Sequence, residues 1–248
     1  MSKREKKDPN YWINMAYSLD REGKYDKAKR YYEKTLEVDP ENLEALINLG
    51  KVLGQLENFD DALKYLLYAT KVYPDVVEAW INLGAVYNNV DNTSEAKRCY
   101  DKATELDPSN PLLWHNKGLV FKRLNKLKDA ISCYDECLRL SSGNIGAWCD
   151  KAFAYMNLQE YDQADCCYDE ILKIDPNNAD AINGKGCVQV SKGNYLKAIS
   201  FFDLALKIDP GNVQILMNKG FALEELGNPE EAQKYYDAAS KAYSAPVI

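Results

Sequence analysis

A single histidine, His115, is present in this 248-residue chain, so a histidine-based triad or a histidine-rich metal site could draw on that residue alone. No nucleophile elbow and no glycine-rich phosphate cradle occurs. These absences point away from an enzyme, and no catalytic residue and no cofactor is assigned. No run of apolar residues approaches the roughly 18–20 needed to cross a bilayer. The start MSKREKKDPN leads into Tyr11 and Trp12 without the apolar region of a signal peptide. A cytoplasmic protein is expected. Positive charge is also short: 31 Lys and Arg face 38 Asp and Glu, a net charge of -7. Lys3, Arg4, Lys6 and Lys7 lie at the very start, so the rest is more acidic still. Nucleic-acid binding needs clustered cations that release counterions, so it is excluded as a principal function. Anionic membranes are disfavoured for the same reason. The seven cysteines are odd in number, fall between Cys99 and Cys187, and lack the spacing of a disulfide scaffold. A reducing compartment fits them.

What the chain does have is periodicity. Trp12, Trp80, Trp114 and Trp148 are separated by 68, 34 and 34 residues. Alanine recurs at the same period seven times: Ala28, Ala62, Ala96, Ala130, Ala164, Ala198 and Ala232. A small residue stands at the eighth place of each unit, as Ala16, Gly50, Gly84, Gly118, Ala152, Gly186 and Gly220, where two helices can touch. Four residues after each periodic alanine comes Tyr32, Leu66, Tyr100, Tyr134, Tyr168, Phe202 or Tyr236. Three further on comes Thr35, Ala69, Ala103, Cys137, Ile171, Ala205 or Ala239. Spacings of three and four put these on one helical face. Pro40, Pro74, Pro108, Pro176 and Pro210 are stop signals near the ends of five units. Two residues after Pro40, Pro108, Pro176 and Pro210, and after Ser142 in a unit without proline, Asn42, Asn110, Asn178, Asn212 and Asn144 are placed to cap the next helix, and Asp8 with Pro9 opens the first. Turns within units fall near Gly23, Asn58, Asn92, Asn125, Glu160, Gly193 and Gly227.

Each unit therefore reads as a helix, a turn and a second helix. The set Trp80, Leu83, Gly84, Tyr87, Ala96, Tyr100, Ala103 and Pro108 resembles the tetratricopeptide repeat. The resemblance covers seven units, 9–42, 43–76, 77–110, 111–144, 145–178, 179–212 and 213–246, after a flexible basic segment 1–8 and before a tail 247–248. It implies an all-α, right-handed superhelical α-solenoid that binds another protein. The signature residues themselves are packing residues, so they say little about the partner.

In such a stack the first helices line the inner face, and places 2, 5, 6, 9, 12 and 13 of each unit would face a groove. The sixth place reads Asn14, Asn48, Asn82, Asn116, Asp150, Gly184 and Asn218. An amide both donates and accepts, so this row could hold the backbone of an extended peptide; alternatively it orders the unit or meets solvent. Around it lie Ile47, Lys51, Ile81, His115, Leu119, Lys122, Phe153 and Phe221, with Glu44, Glu78, Asp180 and Glu224 along the strip. A peptide or helix with apolar anchors and some positive charge is the expected ligand. A branch of the family clamps the acidic tails of chaperones with lysines, but Ile13, Ile47 and Ile81 stand where lysine would be wanted, and Glu44 and Glu78 add the wrong charge.

Three further features carry alternatives. Lys117, Lys151, Lys185 and Lys219 repeat at the period where earlier units have Met15, Leu49 and Leu83; they either face an acidic partner or lay their stems over apolar surface with the ammonium in water. The cysteines from Cys133 to Cys187, with Cys137, Cys149, Cys166 and Cys167 among them, are candidates for a metal site. However, Cys99, Cys133 and Cys167 replace the aromatic found in Tyr31, Tyr65, Phe201 and Tyr235, which suits packing, and no metal is assigned. Last, a final helix carrying Tyr235, Ala238, Ala239 and Ala242, with only Ser244 to Ile248 after Tyr243, would leave an apolar end through which copies could associate as a homo-oligomer or scaffold.

Overall fold

In a computed structural model the described residues are 8–244, without the side chain of Ser244. The expectations about the basic segment 1–8, apart from Asp8, and about the tail 247–248 lie outside them. The chain is all α, with no strand among the described residues. Its contacts divide into two compact bodies, residues up to Lys126 and residues from Leu127. The first body holds α1 (Pro9–Arg21), α2 (Tyr25–Val38), α3 (Leu43–Gln55), α4 (Phe59–Val72), α5 (Val77–Asn89), α6 (Thr93–Leu106) and α7 (Pro111–Arg123). The second holds α8 (Leu127–Leu140), α9 (Ile145–Asn157), α10 (Tyr161–Ile174), α11 (Ala179–Ser191), α12 (Tyr195–Ile208), α13 (Val213–Glu225) and α14 (Pro229–Ser244). Within each body, successive helices pack as antiparallel hairpins.

The helix starts are those the capping residues announce. The Asn42 side chain accepts from the Ala45 amide at 3.0 Å while its own NH2 donates to Asp39 at 3.0 Å. Asn144, Asn178 and Asn212 accept in the same way from Ala147, Ala181 and Ile215. Asp8 caps α1 by accepting from the Asn10 amide. Val76 stands in this position before α5 and supplies no side-chain cap. Each capped start satisfies an amide that the first turn of a helix leaves without a partner.

Every first helix stops in one way. The residue at the fifteenth place takes a left-handed conformation, and the next amide reaches back to the carbonyl five residues before it, as in Asn58 to Leu53 at 2.9 Å and Asn194 to Gln189 at 2.8 Å. The left-handed residues are Gly23, Glu57, Asp91, Asn125, Gln159, Gly193 and Gly227. Three turns thus sit one residue before the Asn58, Asn92 and Glu160 that the sequence suggests. The reason is that the 13-residue length of the first helix fixes the register, and it does so even where the residue there is Glu, Asp or Gln.

The core repeats with the same period. All seven periodic alanines are buried. The small eighth residue faces the large residue four after the alanine. A Cβ built on Gly186 would lie 2.3 Å from Phe202 Cε1, and one on Gly220 would lie 2.5 Å from Tyr236 Cε1. Glycine at these two positions is what allows the aromatic ring to come this close to the facing backbone.

Candidate functional site on the first-helix face

In the first body α3 touches both α1 and α5, and in the second α11 touches α13. First helices therefore close up on one side of each body. On that side of the first body a cleft of about 390 Å³ has an apolar floor of Ile13, Leu43, Ile47 and Val76. Its rim carries Asn10, Asn48, Glu44 and Glu78, two carboxylates with nothing cationic in the lining. Ile47 is buried, so it forms the wall of this cleft rather than a projecting anchor.

The other expected residues fall into distinct groups. Asn14 and Lys51 are exposed, whereas Ile81, His115, Asn116, Leu119, Lys122 and Asp150 are half-buried. In the second body Phe153 and Phe221 project, being 51% and 46% exposed. The amide row is partly engaged within the protein. Asn48 donates to the Glu44 carbonyl of its own helix at 2.9 Å. Asn218 donates to Asn183 on the neighbouring first helix at 2.9 Å and accepts from Gln214. The Nδ2 of Asn82 is buried and meets no acceptor among the described residues. Gly184 interrupts the row because the Tyr168 ring occupies the space where a Cβ would lie, 2.4 Å away.

Asp20 and Asn183 make contacts on the first helices that the sequence did not announce. Asp20, with its side chain only 6% exposed, binds the Lys51 ammonium at 3.0 Å across successive first helices. Asn183 bridges to Asn218. Both contacts link residues more than thirty apart on successive first helices, and the repeat register alone does not say which side chains of neighbouring helices meet.

The lysine row is engaged by aspartates of the chain itself. Lys117 pairs with Asp101 at 2.7 Å, Lys151 with Asp135 at 2.6 Å, and Lys185 with Asp165 at 3.0 Å and Asp169 at 2.6 Å. Lys219 pairs with Asp203 and with the Tyr235 hydroxyl. Each ammonium therefore ties a first helix to the second helix before it. Aromatic faces complete the setting, with Lys151 5.0 Å from the Trp148 centroid and Lys219 4.0 Å from that of Tyr235. Burial opposes the charge of Lys151, Lys185 and Lys219, but their aspartates outweigh it and hold the pKa values above the ordinary lysine value. These contributions to stability are therefore complete below the ordinary lysine pKa, and are lost as pH rises through the raised values of the folded protein.

Lys185, 10% exposed, gives the clearest expected result. Lys185→Ala should lower the unfolding free energy by about 1–3 kcal/mol, between the cost of breaking an exposed pair and that of breaking a buried one. Lys185→Met should recover most of that loss, because Met15, Leu49 and Leu83 fill the same place in the first three units. Urea denaturation at pH 7 measures both. Equal losses in the two variants would mean that the ion pairs, and not the filled volume, hold these junctions.

Cys99, Cys133, Cys137 and Cys167 are buried packing residues, whereas Cys166 is exposed. Burial pushes the Cys99 and Cys167 thiols up to about 12 and Cys187 to about 11, far from the thiolate a metal requires. Among the described residues no three His, Cys, Asp or Glu side chains converge as a metal site, and no helix is long and apolar enough to cross a membrane.

Comparison with known proteins gives the class to which this arrangement belongs. Residues 1–144, more than half of the chain, match the family described as the cilia and flagella-associated protein 70 C-terminal domain. Residues 145–178 and 189–246 match tetratricopeptide-repeat families. The chain is a tetratricopeptide-repeat protein, and it belongs to the family of the cilia and flagella-associated protein 70 C-terminal domain. No curated protein matches the sequence. Among solved structures, a tetratricopeptide repeat protein from Parabacteroides merdae superposes with a TM-score of 0.73 at 15% identity, over 96% of this chain and 94% of that one. PilF of Pseudomonas aeruginosa gives 0.70 at 20% identity, over 86% and 97%. YrrB, described as a TPR protein with an unusual peptide-binding site, gives 0.63 at 24% identity, over 75% and 95%. At these identities the structures bear on the fold alone. The family supports a protein–protein interaction adaptor in general terms.

Proposed function

We propose that the chain is a non-enzymatic adaptor that holds an extended segment of a partner protein against its first-helix face. The cleft between Ile13, Ile47, Glu44 and Glu78 carries this reading, because it joins an apolar floor to an acidic rim. A segment that places an aliphatic side chain in the floor and a Lys or Arg beside it meets both features. The half-buried Asn116 extends the contact along the peptide backbone within the first body. YrrB, with its peptide-binding site, supports the general mode. The family match over residues 1–144 makes components of cilia and flagella the first place to seek the partner.

The test is selection from a displayed library of peptides from ciliary and flagellar proteins. Peptides pairing an aliphatic residue with a neighbouring Lys or Arg should be enriched. A Glu44→Lys, Glu78→Lys double variant should weaken the selected peptides at least tenfold, and an Asn82→Ala, Asn116→Ala variant should weaken them with unchanged oligomer size in sedimentation. Undiminished binding in both variants would sink the assignment of this face.

A further inference from the structure

At the fourth place of the repeat, Trp80, Trp114 and Trp148 follow one pattern, and Leu46, Ile182 and Leu216 follow another. Each of the three indoles reaches back over the preceding second helix. The Nε1–H groups of Trp80, Trp114 and Trp148 donate to the carbonyls of Pro74, Pro108 and Ser142 at 2.8, 2.9 and 2.9 Å. The indole thus fills the space between a helix end and its neighbour and satisfies one exposed carbonyl.

Where leucine replaces tryptophan, a cleft lies in the corresponding position. Beside Leu46 it measures about 610 Å³, is walled by Leu36, Leu46 and Tyr65, and includes Pro40. Pro40 is the counterpart of Pro74 at the 34-residue period, so its carbonyl is the acceptor an indole in this place would find. A second cleft of about 450 Å³ holds the equivalent Pro210 and Leu216. The Leu46 cleft is the more apolar in its walls, while the Leu216 cleft is crossed by the Lys219–Asp203 pair. Glu33 and Glu37 also line the Leu46 cleft; the cation of its lining is Lys64, whose ammonium sits 5.6 Å from the Tyr65 centroid, and Lys29 lies 3.8 Å from Glu33. Such a cleft has the size of a small-ligand site and a fixed polar group to orient what enters it.

We propose that the cleft beside Leu46 receives a tryptophan side chain of a partner protein, with its indole N–H on the Pro40 carbonyl and a basic neighbour against Glu33 and Glu37. The protein supplies the template for this contact three times in its own repeats. Aromatic anchors in well-formed pockets dominate the affinity of many interfaces, and an indole fits because its one donor meets an acceptor while its rings cover apolar surface. This site lies on the side of α2 and α4 and is separate from the first-helix cleft.

The experiment is a 19F NMR titration of the wild-type chain with an acetylated, amidated Lys-(5-fluoro-Trp)-Lys peptide. Saturable binding is expected. Leu46→Trp places in the cleft the residue that neighbouring repeats carry, and it should weaken the peptide at least tenfold while circular dichroism and the melting temperature are retained. Leu216→Trp, which leaves the Leu46 cleft open, should bind as wild type does. Should Leu46→Trp fold poorly, a Glu33→Lys, Glu37→Lys variant gives the same reading through charge, with a severalfold loss expected. A peptide carrying 1-methyl-tryptophan, which has no N–H, should bind severalfold more weakly than its parent. The Glu44→Lys, Glu78→Lys variant should bind as wild type does, which separates this site from the first-helix face. No binding at millimolar peptide, equal binding to Leu46→Trp, or free indole binding as tightly as the peptide would each overturn the proposal.

Discussion

Truncation of Phe202 to alanine should lower the unfolding free energy by about 3–5 kcal/mol, the range for deleting a buried aromatic ring without collapse of the space it leaves. Phe202 is fully buried and packs in a cluster with Ile182, Ala198, Ala205, Ile215 and Ala222, so it joins α11, α12 and α13. Its ring lies so close to Gly186 that no side chain fits between them. Gly186→Ala should therefore also destabilise, by about 1–3 kcal/mol, through overpacking. The two changes touch the same space, so Phe202→Leu combined with Gly186→Ala should cost less than the sum of the single changes. Chemical denaturation of the four proteins measures this coupling. Strict additivity would show that the glycine is not there to admit the ring.

The second large effect is expected at Trp80, which is half-buried against the core cluster containing Leu49, Leu83 and Val86. Trp80→Ala should cost about 3 kcal/mol, the lower end for loss of so large a side chain, because part of the ring is already in water. About 1 kcal/mol of that belongs to the hydrogen bond to the Pro74 carbonyl. Trp80→Leu copies the residue at Leu46 and should keep most of the packing while losing the hydrogen bond. It should therefore fall between wild type and alanine in urea denaturation. A leucine variant as unstable as alanine would mean that the indole N–H contact outweighs the apolar area, contrary to the packing observed.

Much of the fold could be read directly from the chain because its causes are local. The periodic alanines, the small eighth residue and the asparagine caps act over three, four or at most sixteen residues within one hairpin. A helix hairpin that repeats every 34 residues writes its own register into the sequence. The turn positions show the limit of that reading. At Glu57, Asp91 and Gln159 the left-handed residue is set by helix length and hydrogen bonding, although at the first two the asparagine one further on looks the better turn former.

The lysine row shows a different limit. Its period was visible, but a lone periodic charge does not say whether it turns to solvent, to a partner or inward, and Asp101, Asp135, Asp169 and Asp203, which repeat at the same period, were not singled out. Packing decided that these two rows meet, because a second helix lies against the next first helix at a distance of sixteen residues along the chain. The amide row was likewise plain as a row, yet only the arrangement of neighbouring helices shows Asn218 held by Asn183 and Gly184 filled by Tyr168.

By itself the sequence determined the helix count per unit, the ends of most helices and the residues of the repeating core, since each depends on spacing along one or two helices. The tertiary structure alone decided which charges are paired, which thiols are sealed off, and where a cleft remains. Those outcomes depend on how closely separate helices approach one another, and a leucine in place of a tryptophan changes that space without disturbing any local signal.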